Sequence, residues 1–188
     1  MAVNEFKSTD PESQETQQEY HDLLTNIKQR MDPDSNTVLL VDDERAIRRR
    51  VARDIKKNDS TLVIYEAGNG QEALEQLEKI REDYKRDPVF IVLDLNMPVM
   101  NGWDTIKALK KDYESKGLSQ GIPIIVLSST SGETGMAVFK KSVHDGKSKY
   151  TPLVSVAKES CIDARRYDAA GSKGLTAWLK YFMRGTSY

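Results

Sequence analysis

Two apolar segments of this sequence end in acidic residues, and no other feature constrains the fold as strongly. Residues 38–41 are followed by the acidic triplet 42–44, and residues 90–93 are followed by Asp94. Apolar runs of this length, rich in β-branched side chains, are typical of strands buried on both faces of a sheet. Because parallel strands end at one edge of a sheet, where α/β proteins place their sites, we expect these carboxylates to gather there.

Gathered carboxylates would repel one another unless a cation lies between them. One pair about 4 Å apart costs roughly 4 kcal/mol at an effective dielectric constant of about 20. A hard divalent cation bound by oxygen ligands would relieve that cost. The pattern therefore predicts an acidic Mg²⁺ site in which one carboxylate remains for chemistry.

Apolar runs alternate with segments of helical periodicity along most of the chain. Strands are predicted at 37–41, 61–66, 89–94, 123–127 and near 150–158. Helices are predicted at 44–57, 71–84, 103–113, near 134–143 and at 175–184. Strands that alternate with helices favour right-handed crossovers and a parallel sheet covered on both faces. The sequence therefore predicts a doubly wound α/β fold.

The first 36 residues differ from the rest and predict an N-terminal extension, with one domain over residues 37–188. Residues 1–13 are polar and are predicted to be disordered. Residues 14–31 predict a helix with one apolar face, which ends at the turn-forming segment 32–36. That face is formed by Tyr20, Leu23, Leu24, Ile27 and Met31. We expect the helix to dock on the following domain, and the alternative is a helix that forms a homodimer or binds a partner.

Charge, cysteine content and hydropathy limit the kinds of partner and the cellular compartment that we expect. The net charge of −1 with 30% charged residues gives no general case for binding nucleic acid. The single cysteine, Cys161, has no internal disulfide partner, which fits a reducing compartment. No apolar run has the length of a membrane span, and the N-terminus lacks an apolar signal core. We therefore expect a cytoplasmic protein that does not insert into membranes.

Three motifs together resemble the receiver domain of two-component response regulators. They are Val-Asp-Asp-Glu at 41–44, Leu-Asp-Leu-Asn-Met-Pro-Val-Met-Asn-Gly at 93–102 and Pro-Ile-Ile-Val-Leu-Ser-Ser at 123–129. The resemblance is strong from residue 37 to about residue 129. It implies a flavodoxin-like sheet of five parallel strands in the order 2-1-3-4-5. The stretch after the fourth strand is longer than is usual in the family, so we expect an insertion there.

The resemblance also assigns roles to residues of the acidic edge. It implies that Asp94 is the phosphoacceptor, a carboxylate nucleophile that takes a phosphoryl group from a phosphohistidine. Mg²⁺ would be bound by Asp94, directly by Asp43, mainly through water by Asp42, and by the backbone carbonyl of Asn96. Ser128 matches the switch Ser/Thr whose hydroxyl bonds a phosphoryl oxygen. The ordinary alternatives are a turn residue for Ser128 and a helix cap for one of the aspartates.

The family's phosphate-binding lysine at the end of the fifth strand is harder to identify. Lys158 ends the apolar run 153–157 and is the preferred candidate, although the proline that usually follows is absent. A competing alignment uses residues 170–175 and brings Trp178 to the lysine position. The choice remains open among Lys158, Lys173 and Lys180.

The helix predicted at 44–57 is strongly basic. Its charges predict a solvated face that also docks an acidic kinase or phosphotransfer partner, because receivers commonly use this helix for that contact. No recognition motif supports binding of nucleic acid. The basic residues are Arg45, Arg48, Arg49, Arg50, Arg53, Lys56 and Lys57.

The resemblance implies a single-domain response regulator that is phosphorylated by a histidine kinase or a histidine phosphotransfer protein. The sequence leaves no room for an output domain after the fifth strand, so we expect contact with a downstream protein target. Such a receiver catalyses only its own phosphorylation and dephosphorylation and is not otherwise an enzyme. The alternative is a pseudo-receiver, a binding module independent of phosphorylation. An aspartyl-phosphate phosphatase is disfavoured, because Asn96 stands where those enzymes need an acidic residue.

Overall fold

Parallel strands form one five-stranded sheet in the computed structural model, which describes residues 31–128, 150, 153–158, 175, 176, 179 and 180. The order of the strands is β2-β1-β3-β4-β5. The strands are β1 Thr37–Val41, β2 Val63–Ala67, β3 Phe90–Asp94, β4 Ile124–Ser128 and β5 Leu153–Ala157. The predicted flavodoxin-like α/β fold is confirmed.

Three helices connect β1 to β4, namely α1 Arg45–Asn58, α2 Gly70–Tyr84 and α3 Gly102–Ser115. Asparagines cap two of them, because Asn69 accepts a hydrogen bond from the Glu72 backbone N–H and Asn101 accepts one from that of Asp104. The helices begin and end within two residues of their predicted limits. No helix in the described part of the chain combines the length and apolar composition that a membrane crossing requires.

Successive side chains of each strand point to opposite faces of the sheet, which divides the core into two layers. In β1, Val38 and Leu40 belong to one buried cluster, and Leu39 and Val41 belong to the other. Residues of α1 pack in the first cluster, and residues of α2 and α3 pack in the second. The α1 residues are Ile47, Val51 and Ile55; those of α2 and α3 are Ala73, Leu77, Ile80, Ile106, Leu109 and Tyr113. Both faces of the sheet are therefore buried, as its continuous apolar strands require.

Several predicted elements fall partly or wholly outside the described residues. The N-terminal helix lies outside them apart from Met31, which packs against the cluster that includes α1. The insertion after β4, with the helix near 134–143, also lies outside them. Of the closing helix, Leu175 and Leu179 are described as buried in that same cluster. The division of the chain at residue 36 stays a prediction.

Strand register brings the ends of non-adjacent segments to one edge of the sheet. Val41 pairs with Leu93, and Asp94 pairs with Leu127. Ser128 pairs with Ala157, the last residue of β5. The residues that follow β1, β3 and β5 therefore meet at the same carboxyl edge, where the sequence predicts the site.

Gly102 allows α3 to begin directly against the end of β3. Its backbone N–H donates to the carbonyl of Leu95 at 3.0 Å. A Cβ at this position would collide with the backbone carbonyl of Asp94 and would lie 2.7 Å from the Cα of Leu95. Backbone atoms cannot move aside as the end of a flexible side chain can, so the start of α3 and the end of β3 fit together only with glycine here.

The substitution Gly102→Ala should lower the free energy of unfolding by about 1–3 kcal/mol, because overpacking forces the backbone to shift. Gly68→Ala is a suitable control, since its Cβ would meet only the flexible carboxylate of Glu72, at 3.3 Å. We expect the control to change stability by less than about 0.5 kcal/mol. Urea unfolding followed by circular dichroism would measure both, and equal stability of the two variants would contradict the role of Gly102.

Candidate functional site

Three carboxylates meet at the carboxyl edge of the sheet. Asp42 and Asp43 follow β1 directly, and Asp94 is the last residue of β3. One carboxylate oxygen from each lies within 4.8 Å of the other two. Asp42 and Asp94 are 0% and 1% exposed, whereas Asp43 is exposed. The fold therefore brings together the three acidic residues that the sequence predicts as a cluster.

Lys158 extends into this cluster from the end of β5. Its Nζ donates a hydrogen bond to Asp94 Oδ2 at 2.9 Å. Two further carboxylate oxygens lie near the same nitrogen, Asp42 Oδ2 at 3.0 Å and Glu44 Oε1 at 2.8 Å. Burial alone would lower the pKa of Lys158, but its bonds to the surrounding carboxylates raise that pKa above its usual value. The lysine is therefore a charged ammonium in the resting site.

Asp42 is the most buried acidic group of the site, and its two oxygens are satisfied unequally. Oδ1 accepts a hydrogen bond from the Glu44 backbone N–H at 2.7 Å. Oδ2 faces the ammonium of Lys158 but has no hydrogen bond. Burial raises the pKa of Asp42 above its usual range, and the hydrogen bond from the Glu44 backbone and the nearby positive charge of Lys158 offset that shift only in part.

The donor set fits a hard divalent cation. Three carboxylates offer oxygens close to one another, and Asp42 Oδ2 is buried without a hydrogen bond. Oxygen ligands of this kind suit Mg²⁺. Asn96 is exposed two residues beyond Asp94, and its backbone N–H donates to Asp94 Oδ1 at 3.3 Å. The backbone carbonyl of Asn96 as a metal ligand stays a prediction.

Of the three lysines left open by the sequence, Lys158 is the one that contacts Asp94 among the residues described. Lys180 is exposed, while Lys173 and the competing Trp178 lie outside the described residues. Ser128 ends β4 at the same edge, but its side chain is outside the described part of the structure. The roles assigned to Ser128 and Lys158 stay predictions.

Sequence reasoning missed two contacts at the start of α1. It grouped Arg48 with the solvated basic face, yet this side chain is only 17% exposed. Arg48 donates to the backbone carbonyl of Asp42 at 2.6 Å and to Glu66 at 3.0 Å, which ties the ends of β1 and β2 together. The second missed contact is that of Glu44 with Lys158. No local signal indicated either contact, because the four-residue spacing would predict a pair between Glu44 and Arg48, whereas their side chains contact other residues.

Comparison with known proteins agrees with this geometry. Residues 38–150 match the family described as the response regulator receiver domain. The protein-glutamate methylesterase/protein-glutamine glutaminase of Clostridium acetobutylicum is 37% identical over 115 residues, which are 61% of this chain and 30% of that protein. The nitrate/nitrite response regulator protein NarL of Escherichia coli is 34% identical over 152 residues, which are 79% of this chain and 63% of NarL.

The chain therefore spans less than two thirds of the length of either relative. Among solved structures, the phosphorylated cyanobacterial phytochrome response regulator RcpA has the same fold, with a TM-score of 0.55 and 19% identity. That match covers 82% of this chain and 97% of the other. Because the family match extends over more than half of the residues and coincides with the sheet and its acidic edge, the chain belongs to the response regulator receiver domain family.

Proposed function

We propose that this receiver accepts a phosphoryl group on Asp94 from a phosphohistidine of a histidine kinase or a histidine phosphotransfer protein. The observation that carries the proposal is the bond from Lys158 Nζ to Asp94 Oδ2 at 2.9 Å, beside two further carboxylates. A strand-terminal aspartate that only caps a turn does not need a buried ammonium. An aspartate that must hold a phosphoryl group does, because the negative charge of the product exceeds that of the carboxylate.

Only the Asp94 carboxylate of the protein forms a covalent bond in this reaction. An oxygen of the Asp94 carboxylate attacks phosphorus, the P–N bond of the phosphohistidine breaks, and its electron pair returns to the imidazole nitrogen. The product is an acyl phosphate. Lys158 is available to neutralise the transferred oxygens, and Ser128 is proposed to bond one of them. Positioning and electrostatic stabilisation are the usual sources of rate in phosphoryl transfer.

We propose that Asp42, Asp43, Asp94 and the backbone carbonyl of Asn96 hold Mg²⁺. When bound, the cation supplies positive charge to the phosphoryl oxygens and offsets the repulsion among the carboxylates. The Oδ2 of Asp42 supports this assignment, because it is buried and its ion pair with Lys158 is not accompanied by a hydrogen bond, which leaves a buried charged oxygen incompletely satisfied.

The output we propose is a change in a protein-binding surface. Added charge on Asp94 draws in Ser128 and Lys158 and shifts a pre-existing equilibrium of the face around β5 and the segment after β4. A downstream protein target would bind that face, in a cytoplasmic regulator whose receiver is formed by residues 37–188 with an N-terminal extension. No enzymatic output beyond the receiver's own phosphorylation and dephosphorylation is proposed. As the alternative to docking on the receiver, the predicted N-terminal helix would form a homodimer.

The alternative is a pseudo-receiver that binds partners without phosphorylation. In the sequence, this alternative was favoured mainly because the family's phosphate-binding lysine is displaced or missing. The 2.9 Å contact of Lys158 with Asp94 weighs against it, as does the retention of three carboxylates that repel one another.

Incubation with Mg²⁺ and acetyl phosphate should add one phosphoryl group to the wild-type protein. Asp94→Asn should remain unmodified, because an amide is a far weaker nucleophile than a carboxylate. Intact-protein mass spectrometry would measure both. Asp83→Asn changes an exposed carboxylate on α2 and serves as the control, which we expect to be labelled like the wild type. Persistent labelling of Asp94→Asn would refute the assignment.

Mg²⁺ should stabilise the wild-type protein against thermal unfolding. At a concentration about 100 times its dissociation constant, a ligand of the folded state contributes about 2.7 kcal/mol. Asp43→Ala should lose most of that stabilisation, because it removes the exposed ligand while Asp42 and Asp94 keep their buried contacts. Differential scanning calorimetry with and without Mg²⁺ would measure the shift, and Asp83→Ala should retain it. An undiminished shift in Asp43→Ala would exclude the proposed metal site.

A further inference from the structure

Glu44 supplies a third carboxylate to the ammonium of Lys158. Its Oε1 lies 2.8 Å from Nζ, as close as the oxygens of Asp94 and Asp42 at 2.9 and 3.0 Å. A lysine ammonium has three N–H donors. Oxygens of three carboxylates already lie within 3.0 Å of Nζ, so a further anion can pair closely with Lys158 only by displacing one of them.

The three carboxylates differ in how easily they can be displaced. The side chains of Asp42 and Asp94 are 0% and 1% exposed, whereas that of Glu44 is 59% exposed. An exposed carboxylate released from an ion pair regains water, and such pairs contribute little to stability. A buried carboxylate released from its partner would keep an uncompensated charge. Glu44 is therefore the partner that an arriving anion replaces at the lowest cost.

The position of Glu44 in the chain does not otherwise explain its side chain. Glu44 is the N-cap residue of α1, but its side chain makes no capping hydrogen bond, and it precedes the first turn of the helix. Glutamate is not among the residues preferred for capping. Its backbone N–H is fixed by the bond to Asp42 Oδ1 at 2.7 Å. The side chain is thus directed to Lys158 and away from the free N–H groups of the helix.

On the basis of the function proposed for Asp94, we propose that Glu44 is a positioning residue that restrains Lys158 in the unphosphorylated site. The incoming phosphoryl group replaces Glu44 as the third partner of the ammonium. Glu44 then competes with the phosphoryl group, so it weakens binding of the donor and of any phosphoryl mimic at Asp94. It does not touch the reacting atoms, so the maximal rate of transfer should not depend on it.

Two substitutions distinguish the effect of the contact between Glu44 and Lys158 from the effect of the negative charge of Glu44. Glu44→Gln removes the charge and keeps the length of the side chain. Glu44→Asp keeps the charge but is one methylene shorter, and aspartate is a good N-cap that would turn toward the helix. If restraint of Lys158 is the role of Glu44, the two variants behave alike. If only the negative charge near the site matters, Glu44→Asp behaves like the wild type.

The first measurement concerns anion binding in the presence of Mg²⁺. In both variants we expect the dissociation constant of beryllofluoride and the KM for acetyl phosphate to fall about two- to fivefold, the range of an exposed ion pair. The maximal rate should stay unchanged. Tighter binding in Glu44→Gln alone would overturn the proposal in favour of a simple charge effect, and unchanged binding in both variants would overturn it outright.

The second measurement does not depend on phosphorylation. In metal-free buffer, peptide mass spectrometry would follow acetylation of Lys158 by an amine-reactive reagent, with the exposed Lys180 as internal reference. Lys158 should react faster in both variants than in the wild type, relative to Lys180. Equal reactivity of Lys158 in the wild type and the variants would overturn the proposed restraint. If wild-type Asp94 accepted no phosphoryl group, this labelling would still decide whether Glu44 restrains the lysine, so failure of the two proposals can be distinguished.

Discussion

The ammonium of Lys158 holds together a site that its carboxylates would otherwise push apart. Asp42 and Asp94 are both buried, and each offers an oxygen within 3.0 Å of Nζ. Burial raises the pKa of Asp42, while the carboxylates around Lys158 raise the pKa of that lysine above its usual value. Removing one member of such a group leaves a buried charge without its partner, a change that typically costs about 3–5 kcal/mol. The site therefore depends on β5, the strand that delivers the lysine.

Strand order explains why a long cationic side chain is needed. β4 lies between β3 and β5, so Lys158 must reach across an intervening strand to contact Asp94. Neighbouring strands are about 4.8 Å apart, which makes the gap between β3 and β5 about 10 Å. Asp42, by contrast, directly follows β1, the strand beside β3, and needs only a short side chain. The lengths of the site's side chains thus follow from the topology of the sheet.

The acidic part of the site could be predicted from sequence because its signals are local. Asp42, Asp43 and Asp94 directly follow or end apolar runs, and the parallel sheet then fixes their common edge. Lys158 could be named only as the preferred one of three lysines, because the choice depends on which distant segment pairs with β4. That pairing, Val126 with Ser155, joins residues far apart in the chain, and no local sequence pattern indicates it.

The contacts of Glu44 and Arg48 were beyond sequence reasoning for a different reason. Both lie at the start of a helix whose charges suggest a solvated face, and only the packed structure gives the direction of each side chain. Arg48 holds the backbone end of β1 and Glu66 of β2, and Glu44 holds Lys158 after β5. Side chains at the start of α1 thus contact the ends of three strands around Asp42. A change in the partners of Lys158 must therefore also affect the start of α1, because the ion pair between Glu44 and Lys158 connects them.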